Sequence, residues 1–302
     1  IISGSVFTLM KKIFEDYNEP LFGRANQQIL VKPFSTEVMK TVLGDFQPNY
    51  RNEDLLALFA ITGGVPWYVS LLMDKGKWDK DDMLGYLTEE NSPFINEGKN
   101  ILIEEFGTDY TMYFSILTCI AGGLKSRGEL ENELKESNIG SYLTRLENYY
   151  GLIEKHLPIF AKENSKKTRY ALSDCFLTLW FRFFFKYQAI VANDALNQLD
   201  IIIRRDYDSF SGFMLERYFE RKLRESGQYT RIGRYWDRKG ENEIDIVAEN
   251  ELTEEAVFIE VKRKTENYDS ASLDKKVATF SRATGKFKDY MVTQKCLSMS
   301  DM

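Results

Sequence analysis

The stretch Glu243-Ile244-Asp245-Ile246-Val247, followed by Ile259-Glu260-Val261-Lys262, decides how this chain reads. Side chains on a strand alternate between faces. Ile244 and Ile246 are therefore expected on one face, and Glu243 and Asp245 on the other. Ile259 and Val261 separate from Glu260 and Lys262 in the same way. The midpoint between 245 and 260 falls between Leu252 and Thr253, inside the polar run Glu249–Glu255, where a turn is expected. That hairpin sets Asp245 opposite Glu260, with Lys262 on the same face. Like charges facing each other across a sheet repel. A divalent cation removes that penalty, and two carboxylates are what Mg²⁺ commonly takes from a protein. A lysine beside them can orient a water or offset the charge of a phosphate. The plainer alternative is a set of solvated charges on an edge hairpin.

The flanking sequence gives the hairpin a domain. Ser209–Ser226 reads as an amphipathic helix, Tyr229–Trp236 as a strand, Ser270–Thr284 as a helix and Phe287–Thr293 as a last strand. Helix, three strands, helix, strand implies a mixed sheet with flanking helices.

Upstream, a short strand-like start leads into a helix near Val6–Tyr17, and Gln28–Lys32 reads as extended. Residues 53–75 read as a helix, a Gly63-Gly64-Val65-Pro66 break and a second helix over Trp67–Met73. Glycines end the first helix, and proline suits the first turn of the next. Residues 110–175 have winged-helix spacing. Helices are expected at Thr111–Ala121, at Ser126–Lys135 with Ser126 as N-cap and Glu129 completing a capping box, and at Gly140–Tyr150. A hairpin, Leu152–Ile159 and Thr168–Leu172, follows. Its tip carries Lys162, Lys166, Lys167 and Arg169. Thr144, Arg145 and Asn148 lie on the polar side of the third helix, so this module can face DNA phosphates or serve as an interdomain strut. Phe176–Phe185 reads as a buried aromatic helix, Asp79–Asp82 as a solvated helix start and Met299–Met302 as a frayed end.

Composition bounds the chemistry. The 302 residues hold 40 Lys and Arg against 46 Asp and Glu, a net charge of −6, so nucleic acid can be met only through a local basic patch. A single histidine, His156, excludes multi-histidine zinc sites and reads as a packing or surface residue. Cys119, Cys175 and Cys296 are far apart and form no CxxC pair, which fits a reduced, cytoplasmic setting. No segment is long and apolar enough for a membrane span, and no partner membrane is expected. The chain opens on Ile1-Ile2-Ser3-Gly4-Ser5 without an initiator methionine, as a piece of a longer protein does.

The hairpin residues match the PD-(D/E)xK signature and so resemble restriction-endonuclease-like nucleases. The resemblance implies catalysis by Asp245, Glu260 and Lys262, with Mg²⁺ or Mn²⁺ held by Asp245 and Glu260. It also implies a further acid from the preceding helix, Glu216 in preference to Glu220. No proline directly precedes Asp245. The rest of the chain resembles archaeal-type ATPases of the AAA/STAND superfamily. The resemblance is carried by Pro20-Leu21-Phe22-Gly23-Arg24, Ile61-Thr62-Gly63-Gly64-Val65-Pro66-Trp67-Tyr68, Tyr170-Ala171-Leu172-Ser173-Asp174 with Leu179-Trp180-Phe181-Arg182-Phe183, and Ile232-Gly233-Arg234-Tyr235-Trp236.

It implies a multidomain α+β chain. An AAA core remnant (1–50) and a helical lid (51–108) precede a winged helix-turn-helix with linker helix (109–190), and a restriction-endonuclease-like α/β domain with a mixed sheet (191–302) closes the chain. Ser3, Arg24, Gly64 and Pro66 are the residues near nucleotide in an intact protein, or else strand-end, loop and helix-break residues. No GxxxxGK(S/T) occurs, so ATP binding and hydrolysis are expected only where the P-loop half is present. Two functional expectations follow. One is an Mg²⁺-dependent DNA endonuclease domain on an ATP-binding protein. The other is a non-catalytic module that binds DNA or a partner, whether the P-loop half or a second copy of the chain.

Overall fold

The computed structural model describes residues 13–27, 29, 31–106, 110–163 and 165–302. The protein is α+β: helices through the N-terminal part, then a four-stranded mixed sheet. Two compact units are each assembled from separated pieces of sequence. One holds the described residues up to Pro33 with Leu87–Lys155 and Tyr170–Leu199. The other holds Phe34–Tyr86, His156–Arg169 and Asp200–Met302.

In the first unit, α5 (Phe94–Phe106), α6 (Thr111–Ala121), α7 (Arg127–Leu134) and α8 (Gly140–Asn148) surround an aromatic core. Phe106 stacks on Tyr113 at 4.7 Å and meets Tyr150 edge-on at 4.6 Å. Ser126 accepts from the Glu129 N–H, and Glu129 accepts from the Ser126 N–H, so the expected capping box is present. The strands β1 (Ile153–His156) and β2 (Arg169–Leu172) pair, and the Tyr170 N–H donates to the Lys125 carbonyl. Residues 175–185 start as an α-helix, α9 (Cys175–Leu179), and widen to a π-turn over Trp180–Phe185. Trp180 donates its indole N–H to the Ile95 carbonyl at 2.9 Å, and Phe114 packs on Phe181 and Phe185.

The second unit is built on α11 (Leu196–Ser226), which follows the short α10 (Gln188–Ala192) and starts well before the expected Ser209. Leu199, Ile203, Tyr207, Phe210, Met214 and Tyr218 give it one long buried stripe. Four shorter helices share this unit: α1 (Thr36–Phe46), α2 (Asn52–Thr62), α3 (Pro66–Asp74) and α4 (Lys80–Leu87). Glu225 caps α1 by accepting from the Thr36 N–H and hydroxyl. Arg221 donates to the Gly63 and Phe34 carbonyls. Gly64 has φ +81, and a Cβ there would lie 2.6 Å from the Phe34 oxygen, so this corner requires glycine.

The sheet runs β3 (Arg231–Trp236), β4 (Glu243–Asn250), β5 (Glu255–Val261), β6 (Met291–Leu297). Strands β3–β4–β5 are antiparallel, and β6 joins β5 in parallel after α12 (Ser270–Thr284). Three details depart from what the sequence leads one to expect. Gly233 pairs with Val247 but Tyr235 with Ile244, so two residues, Asp245 and Ile246, oppose the single Arg234. This bulge puts Ile244 and Val247 in one core cluster with Phe258, Leu273 and Phe280, where simple alternation pairs Ile244 with Ile246. The last strand begins at Met291, later than Phe287, because Phe287 turns at φ +65 and packs its ring into that core instead. The end of the chain is a turn over Met299–Asp301, with Ser298 and Asp301 forming a reciprocal cap and Met302 buried; it is ordered, in contrast to the frayed end expected.

Candidate active site

The β4–β5 ladder ends at the pair Ile246–Ile259, and Asp245 and Glu260 are the next residues beyond it on the two strands. One Asp245 carboxylate oxygen accepts the Val261 N–H at 2.8 Å. Glu260 has the parity of Ala256 and Phe258, which face α12, and is only 4% exposed. Its two oxygens are both engaged: Lys262 donates to Oε2 at 2.8 Å, and Lys276 of α12 donates to Oε1. Arg234, across from the bulge, donates to Glu216 at 2.7 Å and to Glu220 at 3.0 Å. Arg224 completes this set at 2.8 Å from the other oxygen of Glu220.

Burial and the neighbouring Glu260 charge push the Asp245 carboxyl above its usual range, against the Val261 N–H and the Lys262 and Arg234 charges. Burial acts on Glu260 in the same sense, but the hydrogen bonds from Lys262 and Lys276 outweigh it and hold Glu260 low. Glu220 is likewise low: its burial is overcome by Arg234 and Arg224. Burial alone would lower the Lys262 ammonium, yet the bond to Glu260 and the Asp245 charge raise it.

The expected catalytic residues Asp245, Glu260, Lys262 and Glu216 therefore lie in one electrostatic cluster. Asp245 and Glu260 offer hard oxygen donors that suit Mg²⁺ or Mn²⁺, which keep most of their waters and take one or two carboxylates. Among the described residues, no three Asp, Glu, His or Cys side chains are grouped as a ready metal set. A cation here would rest on these two carboxylates and water, and would share Glu260 with its lysines.

Sequence reasoning passed over Lys276 and Arg234. Lys276 was open to detection, since it lies three residues after Leu273 and four before Phe280 on the core-facing stripe of α12. A cation on an apolar stripe calls for a buried acid opposite.

The other candidates are dispersed. Thr144, Arg145 and Asn148 are exposed on α8 in the first unit, with Arg145 over the Tyr113 and Tyr150 rings at 5.8 and 6.0 Å. Lys166, Lys167 and Arg169 belong to the second unit. Lys166 is exposed, whereas Arg169 is held by Glu243 at 2.7 Å and lies 4.5 Å over the Trp236 ring. Trp236 in turn donates to the Lys167 carbonyl. Arg24 is exposed in a turn closed to Leu21, Gly64 forms the corner with Phe34, and Pro66 opens α3. Ser3 lies outside the described residues. No helix among the described residues is long and apolar enough to cross a membrane.

Residues 180–275 match the family model DUF234, described as archaeal and bacterial proteins of unknown function. That segment contains Glu216, Asp245, Glu260 and Lys262. The chain is also similar to an uncharacterized protein of Methanocaldococcus jannaschii, at 30% identity over 273 residues, covering 87% of this chain and 59% of that relative. The chain thus spans less than two thirds of the relative it matches. No solved structure matches the chain.

Proposed function

We propose that this chain is the C-terminal part of an archaeal-type AAA/STAND-like ATP-binding protein, and that residues 191–302 form a restriction-endonuclease-like domain that hydrolyses DNA phosphodiesters with Mg²⁺ or Mn²⁺. The observation that carries this reading is the meeting of Asp245 and Glu260 just beyond the last pair of the β4–β5 ladder, where Asp245 accepts the Val261 N–H beside a bulge and Lys262 donates to Glu260. Asp245 and Glu260 would hold the cation, which when bound would lower the pKa of its water and stabilise charge on the phosphate. Lys262, released from part of its bond to Glu260, orients the attacking water. Glu216, tied to Arg234, acts at one remove through the charge it places on Lys262. In this reading residues 51–108 would be the helical lid and residues 109–190 the winged helix with its linker helix. ATP is a ligand only of a protein that carries the P-loop half.

Cleavage of plasmid and single-stranded DNA in Mg²⁺ or Mn²⁺ tests this. Asp245→Ala is expected to reduce cleavage to background, and Lys262→Ala to slow it by at least about 10²-fold. Salt-sensitive DNA binding without any cleavage would overturn it. A second reading, the non-catalytic DNA- or partner-binding module, draws on one observation: Glu260, Glu216 and Glu220 each already carry a cationic partner.

A further inference from the structure

Lys276 is the residue of the site that nothing above employs. It stands on α12, a different element from both carboxylates, and reaches Glu260 through the end of its flexible stem. Its side chain is 26% exposed, while the Glu260 side chain it bonds is 6% exposed, so the lysine is the more accessible partner of the pair. The Asn242 side chain donates to the Lys276 backbone carbonyl, which ties this turn of α12 to the loop that carries Arg238 and Lys239. Those two are exposed, as is Lys275 beside Lys276, and Lys239 lies 3.9 Å from Glu241.

A hard divalent cation recruited to Asp245 and Glu260 requires a Glu260 oxygen. Lys262 directly follows β5, two residues after Glu260, with its N–H donating to the Leu297 carbonyl, and it continues to face the carboxylates. Lys276 occupies the other oxygen from outside the ladder and can swing off by rotating its own side chain.

We propose that Lys276 is an exchangeable counter-cation of this site: it neutralises Glu260 while no divalent ion is bound, gives up that oxygen when one binds, and then holds the phosphodiester of the incoming strand. The proposal rests on the Asp245/Glu260 cation reading and deepens it. Lys276 is on this view a positioning residue that makes cation loading and substrate capture one event. The roles are distinguishable because the first weakens cation binding and the second strengthens DNA binding.

The test uses the 302-residue chain with Mn²⁺ alone, by titration calorimetry, and a duplex oligonucleotide in Ca²⁺ or in EDTA. Lys276→Met is expected to bind Mn²⁺ on the order of tenfold tighter than the parent, because a competing charge in contact with the ligand is gone. Lys276→Arg keeps that charge, so it should match the parent. For duplex binding in Ca²⁺, the slope of log affinity against log salt should fall by about 0.9 in Lys276→Met, one phosphate contact, and should not change in EDTA. Mn²⁺ affinity that is equal or weaker in Lys276→Met, or a slope that falls equally in EDTA, overturns the proposal and leaves the cation site standing. Mn²⁺ binding that survives Asp245→Asn unchanged overturns both.

Discussion

Glu260 and the pair Glu216/Glu220 are neutralised by different chemistries within the same unit. Glu216 and Glu220 share one guanidinium, Arg234, at 2.7 and 3.0 Å, and Arg224 adds a third bond. A guanidinium is planar, presents its donors in a fixed fork and stays charged, so this arrangement behaves as a brace between α11 and β3. Glu260 is held by two ammoniums, Lys262 and Lys276. An ammonium is a point charge on a flexible stem, and leaving costs little beyond the bond itself. The contrast teaches where rearrangement is available. The arginine-held acids fix the helix against the sheet, and the lysine-held acid can exchange partners.

Breaking the brace should have the larger effect. Arg234→Met takes a shared cation from two half-buried carboxylates, and removal of one member of a fully buried charge set costs about 3–5 kcal/mol. Partial exposure of Glu216 places the expected loss near the lower figure, read as a shift of the urea midpoint with unchanged slope. Arg234→Lys keeps the charge but cannot address both acids at once, so roughly half that loss is expected. Lys262→Met should cost less still, about 1 kcal/mol, because Lys276 remains on Glu260. An equal cost at Arg234 and Lys262 would erase the distinction between brace and exchangeable pair.

Much of this was readable before the fold was seen, and the failures have causes. The polar run Glu249–Glu255 marks the turn, and its midpoint sets the register that runs from Asn250–Glu255 to Ile246–Ile259. Helices α6 and α12 match their expected ends because their apolar stripes and terminal glycines are unambiguous. The bulge was invisible because Ile244, Ile246 and Val247 are all apolar, and either parity satisfies a hydrophobic face. Strand β6 was misplaced because it is mostly exposed at the sheet edge and carries Thr293, Gln294 and Lys295, while the apolar signal upstream belongs to Phe287 and Tyr290, which pack on the core from a loop. The joining of Phe34–Tyr86 to α11 depends on contacts such as Phe59 edge-on to Tyr218 at 5.3 Å, and nothing local in either segment encodes its partner. The acids of the site were legible as residue types on strands, but the cations that hold them, Lys276 and Arg234, come from other elements and required the assembled structure.

The smallest expected effect is also the one whose sign separates the neighbouring carboxylates of Asp245 and Glu260. Asp245 has its carboxyl pushed up in the folded state, mainly by burial, so the folded protein holds that proton more tightly than the unfolded chain. Its contribution to stability is full below the ordinary carboxylate range, about 3.9 for aspartate, and is lost as pH rises through the folded value. Glu260 is held low, so its contribution is present above the ordinary range and is lost as pH falls through its own folded value. Asp245→Asn keeps an oxygen for the Val261 N–H and removes the charge that Glu260 opposes. It should therefore melt above the parent at pH 7, with the difference vanishing below about pH 4. Glu260→Gln should melt below the parent at pH 7 and converge with it in acid. Adding Mg²⁺ at pH 7 should raise the parent's melting temperature and leave Asp245→Asn where it was, since only the parent has both ligands to bind it. If the two substitutions shift the melting temperature in the same direction, the Asp245 and Glu260 charges do not oppose each other, and the case for a cation between them falls with it.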